Sequence, residues 1–237
     1  MLLNFFSSRD KEVSRMIKIN DLSVIYNKGK ENECVALHDV NLTVNDGEML
    51  AVMGKSGAGK TTLLLTIAGL IKDYRGSCMV EETDIGTLNE KQLCRFRQQK
   101  IGLIFQDDYL LEECSVRDNL LLALNSKNMK RIEREQAVAQ ALKKVNFAKK
   151  YDCVVGNLSG GEKKRVAIAR ALMNEHNLIL ADEPTGNLDT ENSRIIMELL
   201  KQINDKGTTV IIITHDKDVA AYCDRTIIIN DGVIVDN

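Results

Sequence analysis

The sequence predicts an α/β fold: a mostly parallel sheet covered on both faces by helices, preceded by an antiparallel β unit and interrupted by a helical insertion. Three observations carry that expectation. Short runs at 49–53, 101–105, 178–181, 209–214 and 226–229 are nearly continuous in hydrophobicity, as strands buried on both faces are, and helical patterns separate them. Ahead of them, Ile17, Ile19, Leu22 and Val24, and then Val40, Leu42 and Val44, alternate with polar residues in the manner of half-buried strands. Between 116 and 173 the spacing turns helical, with Val138, Ala141, Leu142 and Val145 recurring on one side.

In chain order, the polar stretch 27–33 joins the first two strands, and Asp46-Gly47 marks a turn into the run Met49–Met53. The dense apolar stretch 62–71 is predicted as a buried helix with Gly69 near its end. Residues 78–80 form a short strand candidate, and 88–97 an exposed helix leading to the strand at 101–105. In the helical insertion, about 107–175, Lys143, Lys144, Lys149 and Lys150 fill the positions away from the apolar stripe and read as a solvated face. A helix over 191–203 places Ile195, Ile196, Leu199, Leu200 and Ile203 on one side, and Gly207 closes it.

The 237 residues can bury a substantial core, and 44% hydrophobic with 28% charged residues argues against wholesale disorder. A net charge of −2 supplies no general field for nucleic acid, so no such partner is expected. No apolar run approaches the roughly 18 to 20 residues that cross a bilayer. The six cysteines, at 34, 78, 94, 114, 153 and 223, show no metal-ligand spacing and read as reduced thiols. Residues 1–15 are expected to be an N-terminal tail, the other reading being a segment that packs on a partner or a membrane surface, with one domain over 16–237.

Chemistry concentrates at the turn after the run Met49–Met53. Gly54-Lys55-Ser56-Gly57-Ala58-Gly59-Lys60-Thr61 matches the phosphate-binding P-loop pattern between a strand and a helix. Glycines let the backbone approach a phosphate chain, and a helix N-terminus adds its positive dipole end. In that frame Lys60 reaches the β- and γ-phosphates and the Thr61 hydroxyl helps to hold Mg²⁺. Strand 178–181 ends in Asp182-Glu183, whose side chains point to opposite faces and so cannot share a task. Asp182 is placed for Mg²⁺, and Glu183 for orienting or deprotonating an attacking water. Gln106, after the strand at 101–105, either caps a loop or senses the γ-phosphate, and Tyr26 either packs at a strand end or stacks on a base. Ser159-Gly160-Gly161-Glu162 has capping-box spacing and is a second helix N-terminus able to take an anion. The following Lys163-Lys164-Arg165 is expected to be a solvated helix face, the other reading being a face toward lipid or a partner.

With those residues in order, the chain resembles the ATP-binding subunit of an ABC transporter from about Ile17 onward, over a P-loop NTPase core. The likeness runs through Gly54 to Thr62 as P-loop, Gln106 as Q-loop, Leu158 to Glu162 as signature, Asp182-Glu183 as Walker B, Asn187-Leu188-Asp189 as D-loop and His215 as H-loop. It implies two copies sandwiching two ATPs, with Ser159, Gly160, Gly161, Glu162 and Asp189 completing the partner's site. It implies adenine stacking for Tyr26, nucleotide contacts from Gly54 to Thr62, a metal site of Thr61, Gln106 and Asp182, and a γ-phosphate contact for His215. His38 and His176 match no motif and are expected to be structural or exposed.

The stretch Glu183-Pro184-Thr185-Gly186-Asn187-Leu188-Asp189 is similar to the subgroup serving lipoprotein release, macrolide or antimicrobial-peptide export, and cell division. Lys55, Glu162 and Cys114 depart from frequent family residues without removing a phosphate or metal ligand. The implied protein is an ATPase peripheral on the inner face of the cell membrane, driving separate transmembrane permease subunits in export, extraction or resistance. The other reading, a soluble ATPase of this type acting on DNA or ribosomes, is disfavoured because 62–157 holds no sustained heptads and the chain carries one such domain.

Overall fold

The computed structural model describes residues 14–124 and 129–236. Most of the expected tail, 1–13, therefore lies outside the described residues, and Arg15 already belongs to the first strand. β1 (Arg15–Tyr26) pairs antiparallel with β2 (Cys34–Asn45) and with β4 (Arg75–Val80), and β4 pairs with the short β5 (Thr83–Asp84). This is the antiparallel unit the alternating pattern predicted, with strand order β2-β1-β4-β5.

The second sheet contains β3 (Met49–Met53), β6 (Ile101–Ile104), β7 (Leu178–Asp182), β8 (Thr209–Ile213), β9 (Arg225–Asn230) and β10 (Val233–Asp236). Its order is β10-β9-β3-β8-β7-β6, parallel throughout except for β10. Strand alternation divides the core between the two faces of this sheet. Leu50, Val52, Leu178, Leu180, Ile211 and Ile213 join the residues of the antiparallel unit in one cluster. Their neighbours Met49, Ile179, Ala181, Val210 and Ile212 join the helical residues in the other. Each wholly buried Leu, Ile, Val or Met side chain among them contributes about 1.5–3 kcal/mol.

The helices are α1 (Lys60–Ile67), α2 (Glu90–Lys100), α3 (Val116–Ala123), α4 (Arg131–Lys144), α5 (Gly160–Ala171), α6 (Thr190–Asn204) and α7 (Lys217–Ala220). Two expectations shift. The helix expected over 62–71 starts earlier and stops at Ile67, because Gly69 turns into the left-handed region at φ 64. The helical stretch 116–173 divides into α3, α4 and α5, and a bridge between Ser115 and Val154 ties its loops together.

β9 was expected, but the turn after it and β10 were not, nor were the short β5 and α7. Asp231 and Gly232 take φ values of 47 and 80, the paired left-handed conformation of a tight hairpin turn, and Asp-Gly was its available signal. Gly207 follows α6 at φ 97, as expected of a helix stop. All six cysteines are free. Among the described residues no helix is long and apolar enough to cross a membrane.

Candidate active site

β3 enters the middle of the central sheet between β8 and β9, and the glycine-rich loop leaves from its end. Neighbouring backbone confines that loop. A Cβ on Gly54, at φ 153, would lie 2.2 Å from the Ile229 carbonyl oxygen, and one on Gly59, at φ 105, would lie 2.3 Å from that of Ala36. Glycine alone fits both the angles and the space. The hairpin turn adds a brace, since Gly232 N–H donates to the Ala58 carbonyl at 3.0 Å.

The helix that follows begins without the usual cap. α1 has Gly59 at its N-cap, no side-chain acceptor and no acidic residue in its first turn. Five other α-helices, α2, α3, α5, α6 and α7, have a side chain of Asn89, Ser115, Ser159, Asp189 or Asp216 over their first amides. The uncapped first turn of α1 presents amides and a positive dipole end with no built-in negative partner, which suits a phosphate. Lys60 is buried at its base, and its Nζ donates to the carbonyls of Gly54 and Lys55 at 2.7 and 2.8 Å. Those bonds hold the ammonium inside the loop's own curve.

Thr61 Oγ1 donates to Asp182 Oδ2 at 2.9 Å, which joins the loop to the end of β7. Burial pushes the Asp182 carboxyl above the ordinary range; the neighbouring Glu183 adds to that, while the Thr61 hydroxyl and Lys60 work the other way. A carboxylate penalised by burial and paired with a hydroxyl is a hard oxygen set with a deficit of positive charge. That chemistry fits Mg²⁺, which takes few protein oxygens and keeps its waters. Among the described residues no group of three or more His, Cys, Asp or Glu forms a metal cage.

Glu183 lies one residue past the end of β7, so strand alternation does not set its direction, and Nδ1 of His215 lies 2.8 Å from its Oε1. Glu183 takes a φ of 45, a conformation that costs a non-glycine residue about 1–2 kcal/mol. Gln106 joins these two in one cleft of about 600 Å³, together with Gly186, Asn187 and Leu188. Gly186 packs beside the Gln106 side chain, since a Cβ there would lie 3.4 Å from Gln106 Cγ. Tyr26 stands at the other end, 39% exposed, with its hydroxyl 3.3 Å from Thr62 Oγ1. The fold thus brings the P-loop, Gln106, Asp182, Glu183, His215 and Tyr26 into one region.

The second N-terminus is assembled separately. Ser159 Oγ accepts from Glu162 N–H at 3.4 Å, and Glu162 Oε2 accepts from Ser159 N–H at 3.0 Å, the reciprocal box the spacing predicted. Glu162 also pairs with Lys150, and its carboxyl is held below the ordinary range by that ion pair and by Ser159 N–H. Asp189 caps α6, accepting from Asn192 N–H at 2.7 Å, which lowers its carboxyl too. Among the described residues no hydrogen bond or ion pair joins Ser159–Glu162 to the loop 54–61 of the same chain.

Three features escaped the sequence reading. Lys164, expected on a solvated face, is only 2% exposed and sits 2.6 Å from Asp108 Oδ1. Periodicity held the signal, since α5 places Lys164 among Gly161, Ala167, Ile168 and Ala171 on its buried side. Asn192 approaches Gly161 so closely that a Cβ there would be 2.4 Å from its Oδ1. Asn119, buried in α3, exchanges bonds of 2.7 and 3.0 Å with the Leu111 backbone and pins the loop before the helix. Of the unmatched histidines, His176 is buried against the Ala171 and Gln98 carbonyls and His38 is exposed.

A family model described as ABC transporter matches residues 37–186. The chain belongs to the ABC transporter family. This ABC ATPase is 42% identical over 220 residues to YvrO of Bacillus subtilis, an uncharacterized ABC transporter ATP-binding protein, covering 93% of this chain and 96% of that one. It is 37% identical over 221 residues to the lipoprotein-releasing system ATP-binding protein LolD 1 of Rhodopseudomonas palustris, covering 92% and 98%. Among solved structures, the dimeric post-hydrolysis state of the ATP-binding cassette MJ0796 bound to ADP and Pi matches with a TM-score of 0.85 and 36% identity, covering 93% and 97%. The chain is an ATP-binding, ATP-hydrolysing subunit of the ABC type, on the P-loop NTPase fold its sequence predicted.

Proposed function

We propose that this ABC ATPase is the motor of a membrane transporter, in which two copies close over ATP and pass that closure to separate transmembrane permease chains. The observation that carries the reading is the continuous line from Lys60 and Thr61 through Asp182 and Glu183 to His215. Mg²⁺, held by Thr61, Asp182 and Gln106, would neutralise phosphate charge during transfer.

The protein groups then have distinct tasks. Lys60 exchanges the Gly54 and Lys55 carbonyls for phosphate oxygens, and the uncapped amides of α1 take others. Residues Gly54 to Thr62 wrap the triphosphate, and Tyr26 stacks on adenine beside them. Glu183 accepts a proton from the attacking water while His215 orients it and contacts the γ-phosphate. Ser159, Gly160, Gly161, Glu162 and Asp189 serve the site of the other copy. Closure performs work because ATP favours the closed dimer over the open one. The likeness to LolD 1 supports extraction or export, with the motor peripheral on the cytoplasmic face of the membrane.

The test is Ser159→Arg in the purified chain. We expect ATP to bind as in wild type while hydrolysis is lost, since the arginine blocks only the partner's site. Undiminished hydrolysis would overturn the shared-site reading. Copurification with a hydrophobic membrane protein checks the coupling to a permease, and recovery with ribosomes or DNA instead would reject it.

A further inference from the structure

The segment after β6 has no ladder of its own until α3 begins at Val116, so its carbonyls need other partners. α5 supplies them. Lys164 Nζ donates to the carbonyls of Phe105 and Gln106 at 3.0 and 2.9 Å. Its charge lies 2.6 Å from Asp108 Oδ1, whose side chain is 18% exposed, as an ion pair rather than an aligned hydrogen bond. Further along the helix, Arg170 donates to the carbonyls of Asp108 and Tyr109 at 2.7 and 2.6 Å. Four backbone carbonyls spanning 105–109 are therefore held by two cations of one helix.

Burying an ammonium is costly even when it is paired, and an apolar side chain of similar volume commonly stabilises as well or better. Stability is thus a poor reason for Lys164. Its geometry supplies another. Lys164 lies on α5 directly behind Ser159–Glu162, and it grips the backbone of Gln106 itself.

We propose that Lys164, with Asp108, is a positioning pair that locks the Gln106 loop to α5. Gln106 in one site and the Ser159-Gly160-Gly161 amides offered to the partner's site then move as a single body. A nucleotide that shifts Gln106 shifts the helix that must meet the second copy, with no slack between them. The inference rests on the shared-site reading above. It adds that the link between the two half-sites of one chain is a buried ion pair, and that cutting it uncouples binding from closure.

The experiment uses the full chain with Glu183→Gln, which holds ATP without turnover, and compares it with the same protein carrying Lys164→Met and Asp108→Leu together. Removing both charges leaves no orphaned carboxylate in the interior. ATP affinity of the monomer should stay close to the parent's, while the melting temperature falls by a few degrees because the Phe105 and Gln106 carbonyls lose their donor. The ATP concentration for half-maximal dimerisation, read by size-exclusion chromatography, should rise about ten-fold, as expected for two groups coupled through direct contact. In the Glu183 protein the same pair of substitutions should lower kcat about ten-fold with KM little changed. Dimerisation and kcat within two-fold of the parent would overturn the proposal and leave the pair a structural one. Should the double variant fail to fold, Asp108→Asn, which spares both carbonyl bonds, is read the same way, and parental behaviour overturns the proposal there too. If Glu183→Gln alone stays monomeric with ATP, the shared-site reading fails and this inference fails with it.

Discussion

Nδ1 of His215 lies 2.8 Å from Oε1 of Glu183, with the imidazole 77% exposed and the carboxylate 16% exposed. The hydrogen bond to Glu183, and then its charge, raise the His215 pKa above the ordinary value. The pair is therefore fully formed as an ion pair below about pH 6.5 and is lost as pH rises through the raised value. NMR titration of the ring should place the wild-type midpoint above that of an ordinary histidine and show it falling in Glu183→Gln. An identical midpoint in both proteins would remove Glu183 as the cause. Solvent screening keeps the effect on stability small.

The same carboxylate is the only proposed base in the cleft that holds Gln106 and His215. Glu183→Gln should reduce steady-state phosphate release by about 10²- to 10⁴-fold while ATP binding by equilibrium titration is retained. Wild-type turnover in that variant would assign the proton transfer to another group.

Glycines of the phosphate loop should differ in their tolerance of alanine. Gly57, at φ 78, has nothing within 4 Å of a would-be Cβ, so Gly57→Ala costs only the left-handed conformation, about 1–2 kcal/mol. Gly54→Ala and Gly59→Ala meet backbone oxygens at 2.2 and 2.3 Å and must displace β9 or β2 as well. Thermal melts should rank Gly57→Ala as the mildest of the three. Equal losses would mean that the walls of the loop yield freely.

Gly161 and Asn192 should behave as a coupled pair. A Cβ at Gly161 meets Asn192 Oδ1 at 2.4 Å, and the Asn192 amide is held by both carboxylate oxygens of Asp189. Gly161→Ala should therefore destabilise by about 1–3 kcal/mol through overpacking. In an Asn192→Ala background most of that penalty should vanish, helped by the better helix propensity of alanine. Chemical denaturation of the four proteins completes the cycle, and an unchanged penalty would show that the clash is absorbed elsewhere.

A charged loop between strand and helix is visible in sequence because every residue that defines it is local. The P-loop, Asp182-Glu183 and the Ser159–Glu162 box were legible for that reason, and so were the two sheets, whose strand periods differ. Lys164 was not, because its partners at 105–108 lie far away in the chain and three consecutive basic residues look like a wet helix face. Asn192 was hidden in the same way, since only the folded crossing of α5 and α6 brings it against Gly161. β10 was missed for a different reason: Asp231-Gly232 is a strong turn signal, but the strand after it is too short to show a period.

The hairpin that braces the phosphate loop has a consequence for how the protein is made. β3 is completed by β9 and the residue before it: Met49 N–H bonds the Asp224 carboxylate across 175 residues, and Ala58 takes its brace from Gly232. Closing so long a loop is entropically slow and waits on the rest of the sheet. A chain still emerging from the ribosome can thus display the whole glycine-rich motif without its braces. The bracing of the phosphate loop is complete only once β9 and the turn behind it have been made.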